Sequence, residues 1–95
     1  MNAATSSIAR FPLGQLVVTP NALKYLTLNE IVSGVIRHQL GDWGELNSDD
    51  RMENDQNIER GLILISIYHD SNDMAFFVIT EADRSVTTVL MPTDY

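Results

Sequence analysis

Leu62-Ile63-Leu64-Ile65-Ser66-Ile67-Tyr68-His69, then Met74-Ala75-Phe76-Phe77-Val78-Ile79, then Val86-Thr87-Thr88-Val89-Leu90-Met91 are the runs whose reading decides the fold. Each is too short for a buried helix, rich in β-branched and aromatic side chains, and largely apolar on both alternating sides, so each reads as a strand. Residues 70–73 and 81–85 are short polar connections, and the three strands are expected to follow one another as an antiparallel meander.

Working outward, Asn47 or Ser48 is placed to cap a helix running to about Arg60, with Gly61 as its terminator. Its apolar side is thin, limited to Met52, Ile58 and Leu62, so this helix is expected to lie mostly in water. Asn54 falls on the same side and is expected to bond the turn backbone near Gly41 and Gly44. Upstream, Thr27 and Glu30 form a capping box. Ile31, Val32, Val35, Ile36 and Leu40 then recur at near-helical spacing, which marks the core helix. Thr19 with Pro20 caps a shorter helix, and Gln15 to Val18 makes a short strand before it that would join the sheet. The expected fold is α+β: an N-terminal strand, two to three helices, then a three-stranded antiparallel meander packed on the helices. Residues 1–12 are expected to be a flexible tail and 13–95 a single domain. The sheet is apolar on both faces and the helices cover little more than one, so a homodimer is expected.

Ninety-five residues with 44% hydrophobic content suffice for one domain, burying roughly 60 to 65% of the unfolded surface. The absence of cysteine excludes disulfides, thiolate zinc sites and thiol nucleophiles, and fits a reducing compartment. Residues 1–10 lack the apolar core of a secretory signal and no run approaches a membrane span, so a cytoplasmic location without membrane contact is expected. A net charge of −7 argues against direct nucleic-acid binding and points to a basic protein partner.

That charge is concentrated. Residues 42–59 hold seven acids against one base, Arg51. Asp42, Trp43, Glu45, Asp49, Asp50, Glu53, Asp55 and Glu59 are therefore the candidate partner-binding residues, with Trp43 as either an exposed anchor or a plug at the helix–sheet junction. The alternative is a solvated helix whose acids suit its amino end and whose Arg60 suits its carboxyl end. Against that alternative, Asp49 with Glu53 and Asp55 with Glu59 are like-charge pairs four residues apart, which cost about a few tenths of a kcal/mol each.

Candidate chemistry is thinner. His38, four residues before Asp42, is either a general base oriented by that carboxylate or a histidine bonded to helix-end carbonyls. Thr80, Glu81, Asp83 and Arg84, followed by Ser85, mark a polar hairpin tip: either a ligand-facing acid and guanidinium pair, or a turn in which Asp83 caps amides and Arg84 pairs with Glu81. His69 beside Asp70 completes no metal motif with His38, and no metal or cofactor is expected. Nucleophile-elbow and phosphate-loop motifs are absent, and Lys24 is the only lysine.

The run Leu13-Gly14-Gln15-Leu16-Val17-Val18-Thr19-Pro20, the Gly41-Asp42-Trp43-Gly44 turn after His38, Ser66 with Tyr68, and above all Ile79-Thr80-Glu81-Ala82-Asp83-Arg84-Ser85-Val86-Thr87-Thr88-Val89-Leu90 carry a resemblance. Over residues 13–95 the chain resembles a family of small uncharacterised bacterial proteins, often carried on plasmids and other mobile elements. The resemblance implies no established activity and no catalytic residues. Charge and resemblance together lead to the expectation of a non-enzymatic protein-interaction module of a mobile genetic element. Such a module would inhibit a host defence system by engaging a basic, nucleic-acid-binding host protein. Two other readings stay open: a small-ligand binder or enzyme using His38, Asp42 and residues 80–85, and a structural subunit of a larger complex.

Overall fold

Thr19 accepts the Ala22 N–H on its hydroxyl at 3.1 Å, which starts helix α1 (Pro20–Tyr25) directly after strand β1 (Gln15–Val18) in a computed structural model that describes residues 8–95. The capping box forms as read: Thr27 Oγ1 accepts the Glu30 N–H at 3.1 Å and Glu30 Oε1 accepts the Thr27 N–H at 2.8 Å, opening α2 (Leu28–Gln39). Asn47 caps α3 (Ser48–Arg60) by accepting the Asp50 N–H at 2.8 Å, and Gly61, at φ +67°, ends it in the left-handed region. Strands β2 (Leu64–His69), β3 (Ala75–Thr80) and β4 (Val86–Leu90) follow, then a 3-10 turn over Pro92–Asp94.

The architecture is α+β with three helices and one four-stranded sheet of order β1-β4-β3-β2. The sheet is mixed, which corrects the antiparallel meander expected from the strand runs. β2 pairs antiparallel with β3 and β3 with β4, but β1 lies parallel to β4, with Gln15 opposite Val86 and Val18 opposite Val89. Parallel neighbours need a long crossover, and the helices and hairpin between β1 and β4 supply it.

Alternation sends Tyr68, Phe76, Val78 and Val89 to one face, where they form the main core with Ala22 and Leu26 of the first helical segment and Ile31 and Val35 of α2. Gly34 lies so close to the sheet that an added Cβ would stand 2.9 Å from the Phe76 ring. The core helix is apolar on its outer side as well. Val32, Ile36 and Leu40, expected inside, are exposed, because at about 100° per residue they fall away from the stripe of Ile31 and Val35. A second core joins Phe11, Trp43 and Leu64, with Leu13, Leu46 and Ile58 packed against it. Of the tail expected to be flexible, Met1 to Ser7 lie outside the described residues. At its far end Phe11 is buried on Trp43, ring centroids 6.0 Å apart, and the Arg10 N–H donates to Gln39 O at 2.9 Å.

Side chains close the free edge of β2. Asn54 donates from Nδ2 to Ile65 O at 2.8 Å and accepts the Ile65 N–H at 3.4 Å, as a neighbouring strand would, and Asn57 donates to Ile63 O at 3.3 Å. Farther along, the Glu45 N–H donates to Ile67 O and the Ile67 N–H to Trp43 O. Asn54 therefore binds the strand edge and not the turn at Gly41 and Gly44, because the strand offers a donor and an acceptor at amide spacing. Gly44 must be glycine there: its φ is +76°, and a Cβ would stand 2.0 Å from Ile67 O.

Candidate functional site

His38 is fully buried, lies nearly perpendicular to the Phe11 and Trp43 rings with centroids 5.2 and 5.6 Å away, and touches two hydroxyls. Its Nδ1 is 2.6 Å from Ser66 Oγ and its Nε2 is 2.9 Å from Thr80 Oγ1; Thr80 Oγ1 is 2.7 Å from Thr87 Oγ1, which donates to Leu13 O at 2.7 Å. The carbonyl at the end can only accept, and that fixes every proton in the chain. Thr87 gives its hydrogen to Leu13, so Thr80 must donate to Thr87, His38 Nε2–H to Thr80, and Ser66 to Nδ1. Burial first, and then the positive charge of Arg84, push the His38 pKa from 6.5 down to about 3, so the ring stays neutral near pH 7. A neutral, enclosed imidazole ties α2 to β2, β3, β4 and the N-terminal loop, and it has no route to a substrate.

Asp42 does not orient His38. It takes the Arg37 Nε–H at 2.7 Å, and this guanidinium bond holds its carboxyl below the usual range. Trp43 is the plug: it is buried, and its Nε1–H donates to Asp55 Oδ1 at 3.0 Å. The same oxygen receives Arg10 Nη1 at 3.0 Å, so Asp55 is committed to the fold. Glu45 stands 3.6 Å from His69 Nδ1.

The hairpin tip separates into parts. Thr80 faces inward to His38, whereas Glu81 and Asp83 are exposed. Asp83 takes the Ser85 hydroxyl at 2.6 Å and the Ser85 N–H at 3.0 Å, which lowers its pKa. Arg84, at φ +62°, turns back over the domain. Its guanidinium donates to Leu62 O and to Asn57 O, each at 2.8 Å, and to Glu81 O at 3.0 Å. It thus clamps the carboxyl end of α3 to the β3–β4 turn, where a positive charge meets the helix dipole favourably. His38 and Thr80 meet inside the core; Asp42, Glu81 and Asp83 do not join them.

What remains free is the outer side of α3. Asp49, Asp50, Glu53 and Glu59 are exposed, and no side-chain cation pairs with them among the described residues. Arg51, which lies between Asp50 and Glu53, points elsewhere, donating to Leu46 O at 2.9 Å and Gly44 O at 3.2 Å, and Arg60 forms no ion pair with Glu59. Between α3 and β2 lies a groove of about 340 Å³ lined by Asp50, Glu53, Asn57, Ile63, Ile65 and Ile67. An aliphatic surface beside carboxylates suits a lysine or arginine side chain, whose stem is apolar and whose head is charged. The sequence marks these isoleucines only as strand, and nothing in a period-two pattern says that α3 would leave three of them at a groove. Among the described residues no helix is long and apolar enough to cross a membrane. No protein-family model, curated protein or solved structure matches this chain.

Proposed function

We propose that the protein is a small acidic, non-enzymatic interaction module whose α3 and adjoining groove receive a basic segment of another protein. One observation carries this reading: Asp49, Asp50, Glu53 and Glu59 make no ion pair among the described residues, because Arg51 is held on backbone carbonyls and Arg60 pairs with none of them. Asp50 and Glu53 line the isoleucine groove and Asp49 and Glu59 add charge elsewhere on the same helix, so the surface attracts positive charge and the groove offers aliphatic stems a place to rest. A nucleic-acid-binding host protein has the basic surface such a module would cover. The acidic charge and the resemblance to proteins carried on mobile elements together support inhibition of a host defence system as the biological setting.

Capture of partners from a bacterial lysate tests this, with the wild type beside a variant carrying Asp49→Ser, Asp50→Ser, Glu53→Ser and Glu59→Ser. Asp55 is left intact because Trp43 and Arg10 depend on it. The expected result is a basic protein retained by the wild type, released by added salt and lost from the variant. Retention of the same protein by both would overturn the assignment.

A further inference from the structure

Leu28, Val32, Ile36 and Leu40 run down the outer side of α2, one every fourth residue, and are 74%, 47%, 52% and 37% exposed. A surface helix ordinarily turns polar residues outward, so an aliphatic ridge along its whole length is unpartnered surface. It leaves on the order of 400 Å² of apolar area in water, within the range of the largest patches on monomers, which are often functional.

We infer that this ridge is a dimer interface, seated against the same ridge of a second copy of the chain. Three features select a copy of itself as the occupant. The spacing is self-matching, since ridges at i±4 on one helix interdigitate with those of another at roughly −50°. The ridge carries no free charge: Asn29 and Ser33 share one flank with Glu30, which is turned to Ser71, and Arg37, which is paired with Asp42, and Gln39 lies on the other flank. In a chain of net charge −7, two copies can approach along this helix without setting carboxylates against each other, and a two-fold axis opposes the two helix dipoles. The area also fits. Stable dimers bury about 800 Å² per partner; the ridge supplies about half as apolar centre, and the polar flanks supply a rim. The other face of the sheet is a poorer seat, because Ile79 and Leu90 on it are already buried.

Sedimentation equilibrium tests this on the wild type and on the double variant Val32→Ser/Ile36→Ser. The wild type is expected at twice 10.6 kDa and the variant at 10.6 kDa with an unchanged circular dichroism spectrum. Because the chain has no cysteine, Ile36→Cys gives a second readout that does not depend on the double variant folding. A short bismaleimide should join two Ile36→Cys chains and leave Gln56→Cys, on exposed α3, unjoined. A wild type that stays monomeric at hundreds of micromolar, a folded double variant that remains dimeric, or absence of the Ile36→Cys cross-link would each overturn the inference.

Discussion

His38 and Arg84, both candidates for chemistry by residue type, act on the fold. The unfolded chain protonates His38 near 6.5 and the native chain only near 3, so between those values the unfolded state binds more protons. Stability contributed by the neutral ring is complete above about pH 6.5 and declines as pH falls toward 3. Urea titrations across that window should show the midpoint falling with pH in the wild type, and His38→Gln should flatten this limb. A wild-type midpoint that is flat from pH 6.5 to 4 would refute the buried neutral ring. His38→Ala, which takes away the acceptor of Ser66 and the donor to Thr80 and opens a cavity, should cost about 3 kcal/mol. Arg84→Ala removes donors from carbonyls of three segments and should cost about 2 to 3 kcal/mol by the same titration, with Arg84→Lys intermediate because it keeps the charge and loses the fork. An unchanged midpoint in Arg84→Ala would mean that water replaces the clamp.

Elements form where local chemistry dictates and assemble where distant groups find one another. The capping box at Thr27, the Thr19-Pro20 start and the Gly61 stop were legible because each is settled within four residues. The direction of β1 was not, since its partner β4 lies some seventy positions away and either orientation suits a short apolar strand. Nor was the outer ridge of α2: Val32 and Ile36 have the same side-chain chemistry as Ile31 and Val35, and only the placement of the sheet separates them. Asn54 shows the same limit. Its need for partners was readable, but the edge of β2 as their source required the fold. Asn54→Ala should free that edge, cost about 1 to 2 kcal/mol, and speed hydrogen exchange of the Ile65 amide more than that of Val78 inside the sheet. Equal protection of Ile65 in both proteins would show that α3 is not what closes the strand.

At the scale of the whole molecule, the acidic surface and the neutral apolar ridge belong to different helices. The acids of α3 lie beside β2 at one end of the sheet order, and the neutral ridge belongs to α2, so one face can take a basic partner while another takes a second copy. Of the eight acidic-segment residues singled out by the sequence, Trp43 and Asp55 are structural and Asp42 is paired with Arg37, which narrows the proposed docking surface to α3 and its groove. The most direct test of that surface is the affinity of the captured basic partner, measured over a range of salt for the wild type and for the variant with serine at 49, 50, 53 and 59. Wild-type affinity should fall steeply with salt, and the variant should bind at least tenfold more weakly at low salt with a shallower dependence. Equal affinities and equal salt slopes would contradict the account, and α3 would then be a solvated helix and nothing more.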